Sequence, residues 1–252
     1  MDHNPGAPDV DLHFDEAALQ EVRESRLLIN LADDWLFEEF GPHIGHRLVE
    51  VGCGLGNHLS RFQDRELLLG IDISESTIDQ IRQRFDGRSN VRLKAQSITD
   101  PAVLEFASLR FDTAISENVF EHIADDGLAM RHVHELLQPG GKFVIIVPAH
   151  QQIFGTMDRS IGHYRRYTKS SLRRLMLEAG FTVVLEKYIN ALGALGWLVS
   201  GRLLRRRTPP RGQLRLLNHL IPTLRAAERW VEPPFGVSLL MVGQKAHGNP
   251  IT

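Results

Sequence analysis

Two stretches concentrate side chains that could do chemistry. Residues 162–167 read Gly162-His163-Tyr164-Arg165-Arg166-Tyr167. Here an imidazole and a phenol could take a proton, and two guanidiniums could grip a phosphate or carboxylate through paired N–H donors. His150, thirteen residues before His163, adds another base. So many polar groups in adjacent positions cannot all be core residues, although a solvated basic turn would have the same composition. The second stretch, His46 to Phe62, sets Gly52, Gly54 and Gly56 directly after the apolar run of Leu48, Val49 and Val51. Without Cβ atoms, such a turn lets backbone N–H groups and a helix N-terminus approach a nucleotide-like cofactor. Glycine turns also serve as plain punctuation. A dinucleotide fingerprint wants a third small residue where Asn57 stands, which weakens a nicotinamide reading.

Composition narrows the chemistry further. The 252 residues are 42% apolar and 24% charged, an ordinary balance for one sizeable α/β core with a subdomain. Cys53, the only cysteine, lies in the glycine turn. It can form no intramolecular disulfide, fits a reducing cytoplasm, and reads as a small side chain packed under the loop rather than a nucleophile. Histidines and acids are scattered along the chain without ligand spacing, so no metal is expected. The first residues lack the basic start and apolar core of a secretory signal, and no apolar run approaches the ~20 residues of a membrane span. The net charge of −2 hides an asymmetry: residues 1–40 hold eleven Asp and Glu against Arg23 and Arg26, while residues 202–215 hold six arginines and no acid. An anionic partner would be drawn to that second region. Nucleic acid is not expected, because the basic stretch lacks aromatic residues for base stacking.

The run Glu50-Val51-Gly52-Cys53-Gly54-Leu55-Gly56 resembles the acidic-x-Gly-x-Gly-x-Gly motif of class I S-adenosylmethionine-dependent methyltransferases. The resemblance continues in LLLGIDIS, whose Asp72 stands where that family places a carboxylate that accepts hydrogen bonds from both ribose hydroxyls. Asp72 would equally serve as a helix N-terminal acid ahead of a Ser74 cap. The resemblance implies that Glu50, Gly52, Cys53, Gly54, Gly56, Asp72 and Ile73 surround the cofactor. Ser97 stands where an acid commonly meets adenine, so Ser97 and the Ile98 backbone would take that part or form only a strand-to-loop turn. Backbone near Glu117 would meet the methionine end, with His122 beside it as a site residue or a structural prop. LLQPGGKFVIIVP matches the family's helix, PGG turn and buried strand. The Gly162–Tyr167 run resembles a motif of bacterial methyltransferases associated with glycans, lipids and secondary metabolites. Trp35 resembles part of an N-terminal helix that packs over the active site in one subgroup, though helix packing alone would explain it.

Periodicity supplies the elements that must hold these residues. Residues 16–40 have helical spacing, Ser74 caps a helix carrying Ile78, Ile81 and Phe85, and Thr168 caps one carrying Leu172, Leu175 and Met176 and ending at Gly180. Ala129, Val133, Leu136 and Leu137 form a stripe that Pro139-Gly140-Gly141 should end. With short apolar strands between, the expected fold is α/β: a Rossmann-like, doubly wound, seven-stranded sheet, mostly parallel with an antiparallel last strand, plus an N-terminal helix and an inserted helical lid. Residues 1–45 are expected as leader and helical cap, 46–188 as the cofactor-binding core, 189–235 as a helical insertion, and 236–252 as last strand and tail. The insertion fits a lid, a dimer contact or a peripheral membrane surface, so monomer and homodimer both stay open. The resemblance implies methyl transfer from S-adenosylmethionine to a small-molecule, glycan or lipid-linked acceptor, most readily at oxygen. His163, Tyr164 or His150 would be the base, with Arg165, Arg166, Tyr167 and Trp35 against the acceptor. The alternative is a re-purposed member that keeps the fold and cofactor for other chemistry or for binding only.

Overall fold

The structure, a computed structural model, describes residues 28, 30–208 and 210–247. The expected leader, the helical stretch before Leu28 and the final five residues lie outside the described residues. The strands are β1 (Arg47–Val51), β2 (Leu67–Asp72), β3 (Val91–Ala95), β4 (Phe111–Glu117), β5 (Leu137–Pro148), β6 (Phe181–Ile189) and β7 (Ser238–Lys245). The helices are α1 (Asn30–Phe40), α2 (Asn57–Arg61), α3 (Glu75–Arg82), α4 (Asp126–Leu136), α5 (Thr156–Ser160), α6 (Lys169–Glu178), α7 (Ala191–Trp197) and α8 (Arg211–Trp230). One seven-stranded sheet runs in the order β3-β2-β1-β4-β5-β7-β6. The first five strands are parallel, and β7 lies antiparallel between β5 and β6.

Strand alternation divides the core into two layers. Phe143, Ile145 and Val147 of β5 join Val49, Val51 and Ala114 under α4 and α6, while Val144 and Ile146 join Leu48 and Ile115 under α1, α2, α3 and α8. Helices on both faces explain why β2 and the second half of β5 read as apolar runs. The expected caps form: the Ser74 hydroxyl accepts from the Thr77 N–H (3.2 Å) and the Thr168 hydroxyl from the Ser171 N–H (3.1 Å).

The PGG segment departs from expectation. Instead of separating helix from strand, it lies within β5, which begins at Leu137 directly after α4 ends at Leu136. Pairing with β4 jumps from Phe111↔Leu137 to Thr113↔Lys142, so residues 138–141 bulge out of the ladder, helped by Gly140 at φ +80°. Lys245 donates to the carbonyls of His134 and Leu137, both at 2.8 Å, and so satisfies helix-end acceptors that a glycine cap would otherwise serve.

Between β6 and β7 the chain forms α7, a π-helical turn over Leu198–Leu203, and α8. The buried Glu228 carboxylate accepts from the Asn190 and Ala191 N–H groups (3.1 and 3.0 Å) and so anchors the start of α7 on α8. Helix α8 lies against α1, where Leu31 N–H donates to Asn218 (3.1 Å) and Arg225 pairs with Glu38. Among the described residues, no helix is long and apolar enough to cross a membrane. The whole arrangement rests on the central strands. Phe143→Ala should therefore lower the unfolding free energy by roughly 3–5 kcal/mol, read from urea denaturation.

Candidate functional site

The C-terminal ends of β1, β2, β4 and β5 share one edge of the sheet. Strand order reverses between β1 and β4, the switch point at which doubly wound sheets take ligands. The glycine turn leaves β1 at this point. A Cβ on Gly52 (φ +72°) would meet Val119 Cγ2 at 2.3 Å, whereas one on Gly54 (φ +47°) would meet no atom within 4 Å. Gly52 is thus required by packing and Gly54 backs onto open space. From the end of β2, Asp72 Oδ2 accepts from the Gly54 N–H and Oδ1 from the Ser74 N–H, both at 3.0 Å. Its carboxylate pins two loops together, and each oxygen retains acceptor capacity.

The other expected cofactor contacts vary in their surroundings. Ile73 is 82% exposed beside Asp72, and Cys53 is buried beneath the turn. Burial, and then the charges of Glu50 and Asp72, push the Cys53 thiol up, so it stays protonated and is no nucleophile. The Ser97 hydroxyl accepts from the Thr99 N–H (3.2 Å), forming a local turn after β3. The Ile98 carbonyl already accepts from the His132 ring (2.7 Å).

Below the glycine turn is a group whose centre was not among the expected site residues. Alternation places Leu48 and Glu50 on the sheet face covered by α2, whose first turn carries His58. Glu50 Oε1 lies 3.0 Å from His58 Nδ1, and Glu117 Oε2 lies 2.9 Å from His58 Nε2. Burial alone would lower the His58 pKa, but the two carboxylates outweigh it and push it up to about 10. His58 is therefore an imidazolium bridging two buried acids. The sequence signal was an acid at a strand position facing a helix, which demands a partner on that helix.

The Gly162–Tyr167 turn is organised by Asp158, which is completely buried. Its Oδ1 accepts from His163 Nδ1 (3.0 Å) and Arg166 Nε (2.6 Å), and its Oδ2 from Gly155 N–H (2.8 Å) and Trp197 Nε1 (3.1 Å). Burial would raise the Asp158 pKa, but these donors and the Arg166 charge hold it below the usual carboxylate value. Backbone bonds fix the turn: Tyr164 N–H donates to the Glu121 carbonyl (2.8 Å) and Tyr167 N–H to the Pro148 carbonyl (2.9 Å).

This arrangement corrects several expectations. The Arg166 side chain is turned inward rather than left free to grip an acceptor; it is 4% exposed, stacks on the Trp197 ring at 4.5 Å and donates to the Ala149 carbonyl (3.0 Å). Tyr167 is buried, and its hydroxyl donates to Asp126 (2.8 Å) and contacts the Phe120 carbonyl (3.1 Å). Arg165 is paired with Asp126 (2.6 Å) and donates to the Ala124 carbonyl (2.8 Å). Trp35, 1% exposed, donates to Glu39 (3.1 Å) and belongs to the α1 core rather than to any acceptor surface. A polar motif can enter the core when its groups satisfy one another. Tyr164 is the outward member, at 38% exposure. His150, at φ +64°, accepts from the Gly236 N–H (3.4 Å) and packs on Tyr188 at 4.5 Å.

His163 meets the segment after β4. Its ring lies edge-on to His122 at 4.7 Å, and its Nε2 lies 3.7 Å from the buried Glu121 carboxylate. Burial, reinforced by His163, pushes the His122 pKa down to about 4, and burial outweighs Asp158 in lowering that of His163. Glu121 and His122, neighbours in sequence, are thus brought together with His163 in space.

The sequence profile of a family described as methyltransferase domain matches residues 17–186. A ubiquinone biosynthesis O-methyltransferase of Ruegeria pomeroyi is 33% identical over 102 residues, covering 40% of each chain. Phosphoethanolamine N-methyltransferase 2 of Caenorhabditis elegans is 30% identical over 111 residues, covering 43% of this chain and 25% of its own. An uncharacterized 37.1 kDa protein of a Streptomyces fradiae transposon is 26% identical over 192 residues, covering 70% of this chain and 53% of its own. The chain thus spans between a quarter and about half of these relatives' lengths. Among solved structures, the Burkholderia thailandensis 1,6-didemethyltoxoflavin-N1-methyltransferase with bound S-adenosylhomocysteine matches with TM-score 0.54 and 21% identity, covering 98% of this chain and 93% of its own. The [4+2]-cyclase SpnF matches with TM-score 0.56 and 19% identity, covering 89% and 81%.

The His58 bridge has a pH signature. Its folded pKa lies above the ordinary 6.5, so its stabilisation is complete below about pH 6.5 and is lost as pH rises through about 10. His58→Gln should cost roughly 3 kcal/mol at pH 6, because two buried acids lose their counter-charge. Urea denaturation of both proteins should show this gap shrinking steadily between pH 6.5 and 10, whereas a pH-independent gap would remove the imidazolium from the account.

Proposed function

The chain belongs to the methyltransferase domain family, and from that premise we propose that it methylates an oxygen of a small-molecule, glycan or lipid-linked acceptor. S-adenosylmethionine is the cofactor. The carrying observation is the crevice at the switch point, where Gly54 backs onto a space that a Cβ would fill and Asp72 is held with acceptor capacity to spare. Both features fit this cofactor: the first admits it against the backbone, and the second suits a cis-diol.

When bound, S-adenosylmethionine supplies an electrophilic methyl group on sulfur. The protein's task is positional, holding an acceptor oxygen in line with the bond to be broken. In our reading, the Gly52–Gly56 turn and Asp72 bind the cofactor, and the Glu50–His58–Glu117 bridge keeps the floor of its cradle rigid. Glu121, His122 and His163 receive the acceptor's hydroxyl, with Asp158 orienting the His163 ring. Tyr164, with the Arg165 guanidinium 5.7 Å from its ring centre, is the outer contact for a glycosylated or anionic acceptor. Helix α7 covers this side, since its Trp197 reaches Asp158. The relative named as an O-methyltransferase supports oxygen as the target, and the one named for phosphoethanolamine supports an anionic acceptor.

A second reading, cofactor binding without methyl transfer, is favoured by the likeness to a cyclase, because one fold hosts unrelated chemistries. Calorimetry and a radiolabelled methyl donor separate the two. S-adenosylhomocysteine should bind and NAD should not, and Asp72→Asn should weaken S-adenosylhomocysteine by roughly 1–3 kcal/mol. Absence of S-adenosylhomocysteine binding would sink the cofactor assignment. Binding without label transfer to hydroxyl acceptors would favour the second reading.

A further inference from the structure

We propose that Glu121, His122 and His163 form a divalent transition-metal site that holds the acceptor's oxygen, an inference that rests on the methyltransferase reading of this crevice. One carboxylate oxygen and two imidazole nitrogens from these residues lie within 4.8 Å of one another. Nitrogen and oxygen ligands about 2.0–2.2 Å from one ion stand roughly 3–3.5 Å apart, so only a small closure would be needed. His163 Nε2 and Glu121 Oε1, 3.7 Å apart, are already too distant for a good hydrogen bond and near the separation of two ligands across an ion.

The surroundings carry the inference further. A histidine that binds metal through one nitrogen ordinarily has the other fixed by a carboxylate or backbone carbonyl. The His163 ring meets this requirement, since its Nδ1 is held by Asp158 Oδ1 at 3.0 Å. Asp158 is itself immobilised by Arg166, Gly155 and Trp197. The two ligand segments are locked together by the Tyr164 N–H bond to the Glu121 carbonyl, 2.8 Å. Charge permits a cation, since Glu121 and Asp158 bring two carboxylates to this place beside the Arg166 guanidinium.

Two imidazoles and one carboxylate suit zinc, manganese, iron(II) or cobalt, and leave positions open. Magnesium and calcium prefer oxygen ligands. A metal at this point would polarise an acceptor hydroxyl, whose proton leaves to water. The oxygen's lone pair then forms the C–O bond while the methyl–sulfur bond breaks and its electron pair stays on sulfur. No oxidant or reductant is involved.

The test uses tag-free full-length protein stripped with chelator. Calorimetry with Zn²⁺ or Mn²⁺ should give one site per chain, and Co²⁺ should give visible bands typical of histidine and carboxylate ligation. Glu121→Gln and His122→Gln should each weaken binding at least tenfold, and Asp158→Asn, acting through His163, about 10–100-fold. S-adenosylhomocysteine affinity should stay within a few fold in every sample that is folded. Wild-type protein that binds S-adenosylhomocysteine but neither Zn²⁺ nor Mn²⁺, and gives no Co²⁺ bands, would overturn the metal site and leave the cofactor reading intact. Metal binding that none of the three substitutions weakens would also overturn it. Metal binding without S-adenosylhomocysteine binding would instead sink the functional reading on which it rests.

Discussion

Much of this structure depends on a buried carboxylate and the four donors that keep it charged. Asp158 has lost water entirely, and an ionised carboxylate in that position is tenable only when its oxygens are fully occupied. Its donors come from three places: its own loop through Gly155, the Gly162–Tyr167 turn through His163 and Arg166, and the insertion through Trp197. Loss of any one would leave an acceptor unsatisfied in a dry site, at a cost above that of an ordinary surface bond. The loop after β5, the polar turn and the start of the insertion are therefore tied together by a requirement to satisfy one charge.

The Glu50–His58–Glu117 bridge solves the same problem on the other side of the crevice. Acids at the ends of two adjacent strands would repel each other, and burial would drive their protons back on. One imidazolium between them opposes both effects, although burial still holds the Glu50 carboxyl above its usual value. The two bridges share a logic, since each uses buried ionic groups to fix the position of a loop beyond the C-terminal ends of the strands. Neither is evidence of exceptional stability, because buried ion pairs often only break even against apolar packing.

The sheet was legible because helices on both faces leave its central strands largely apolar, and because the Ser74 and Thr168 caps mark helix starts with a specific side-chain bond. The PGG segment misled because a glycine that ends a helix and a glycine that opens a bulge look alike when the partner strand is unknown. Arg166, Tyr167 and Trp35 misled for a different reason. Residue type argues for exposure, but exposure is decided by whether partners exist, and those partners sit at Asp158, Ala149, Asp126 and Glu39. The meeting of Glu121 and His122 with His163 could not be seen from spacing, since it depends on the return of the chain after β5.

That return also bears on what the insertion can do. Trp197 donates to Asp158 while its ring faces the Arg166 guanidinium, so the insertion takes part in the network that orients His163. A cover that only excluded water would need apolar contact and nothing more. Here the covering element supplies one of four donors to the carboxylate that orients the His163 ring. Moving α7 away from the turn would strip Asp158 of that donor and expose the face of Arg166, weakening the hold on His163 Nδ1. The insertion and His163 therefore share one electrostatic dependency: the hydrogen-bond set around Asp158 is complete only when the insertion is in place.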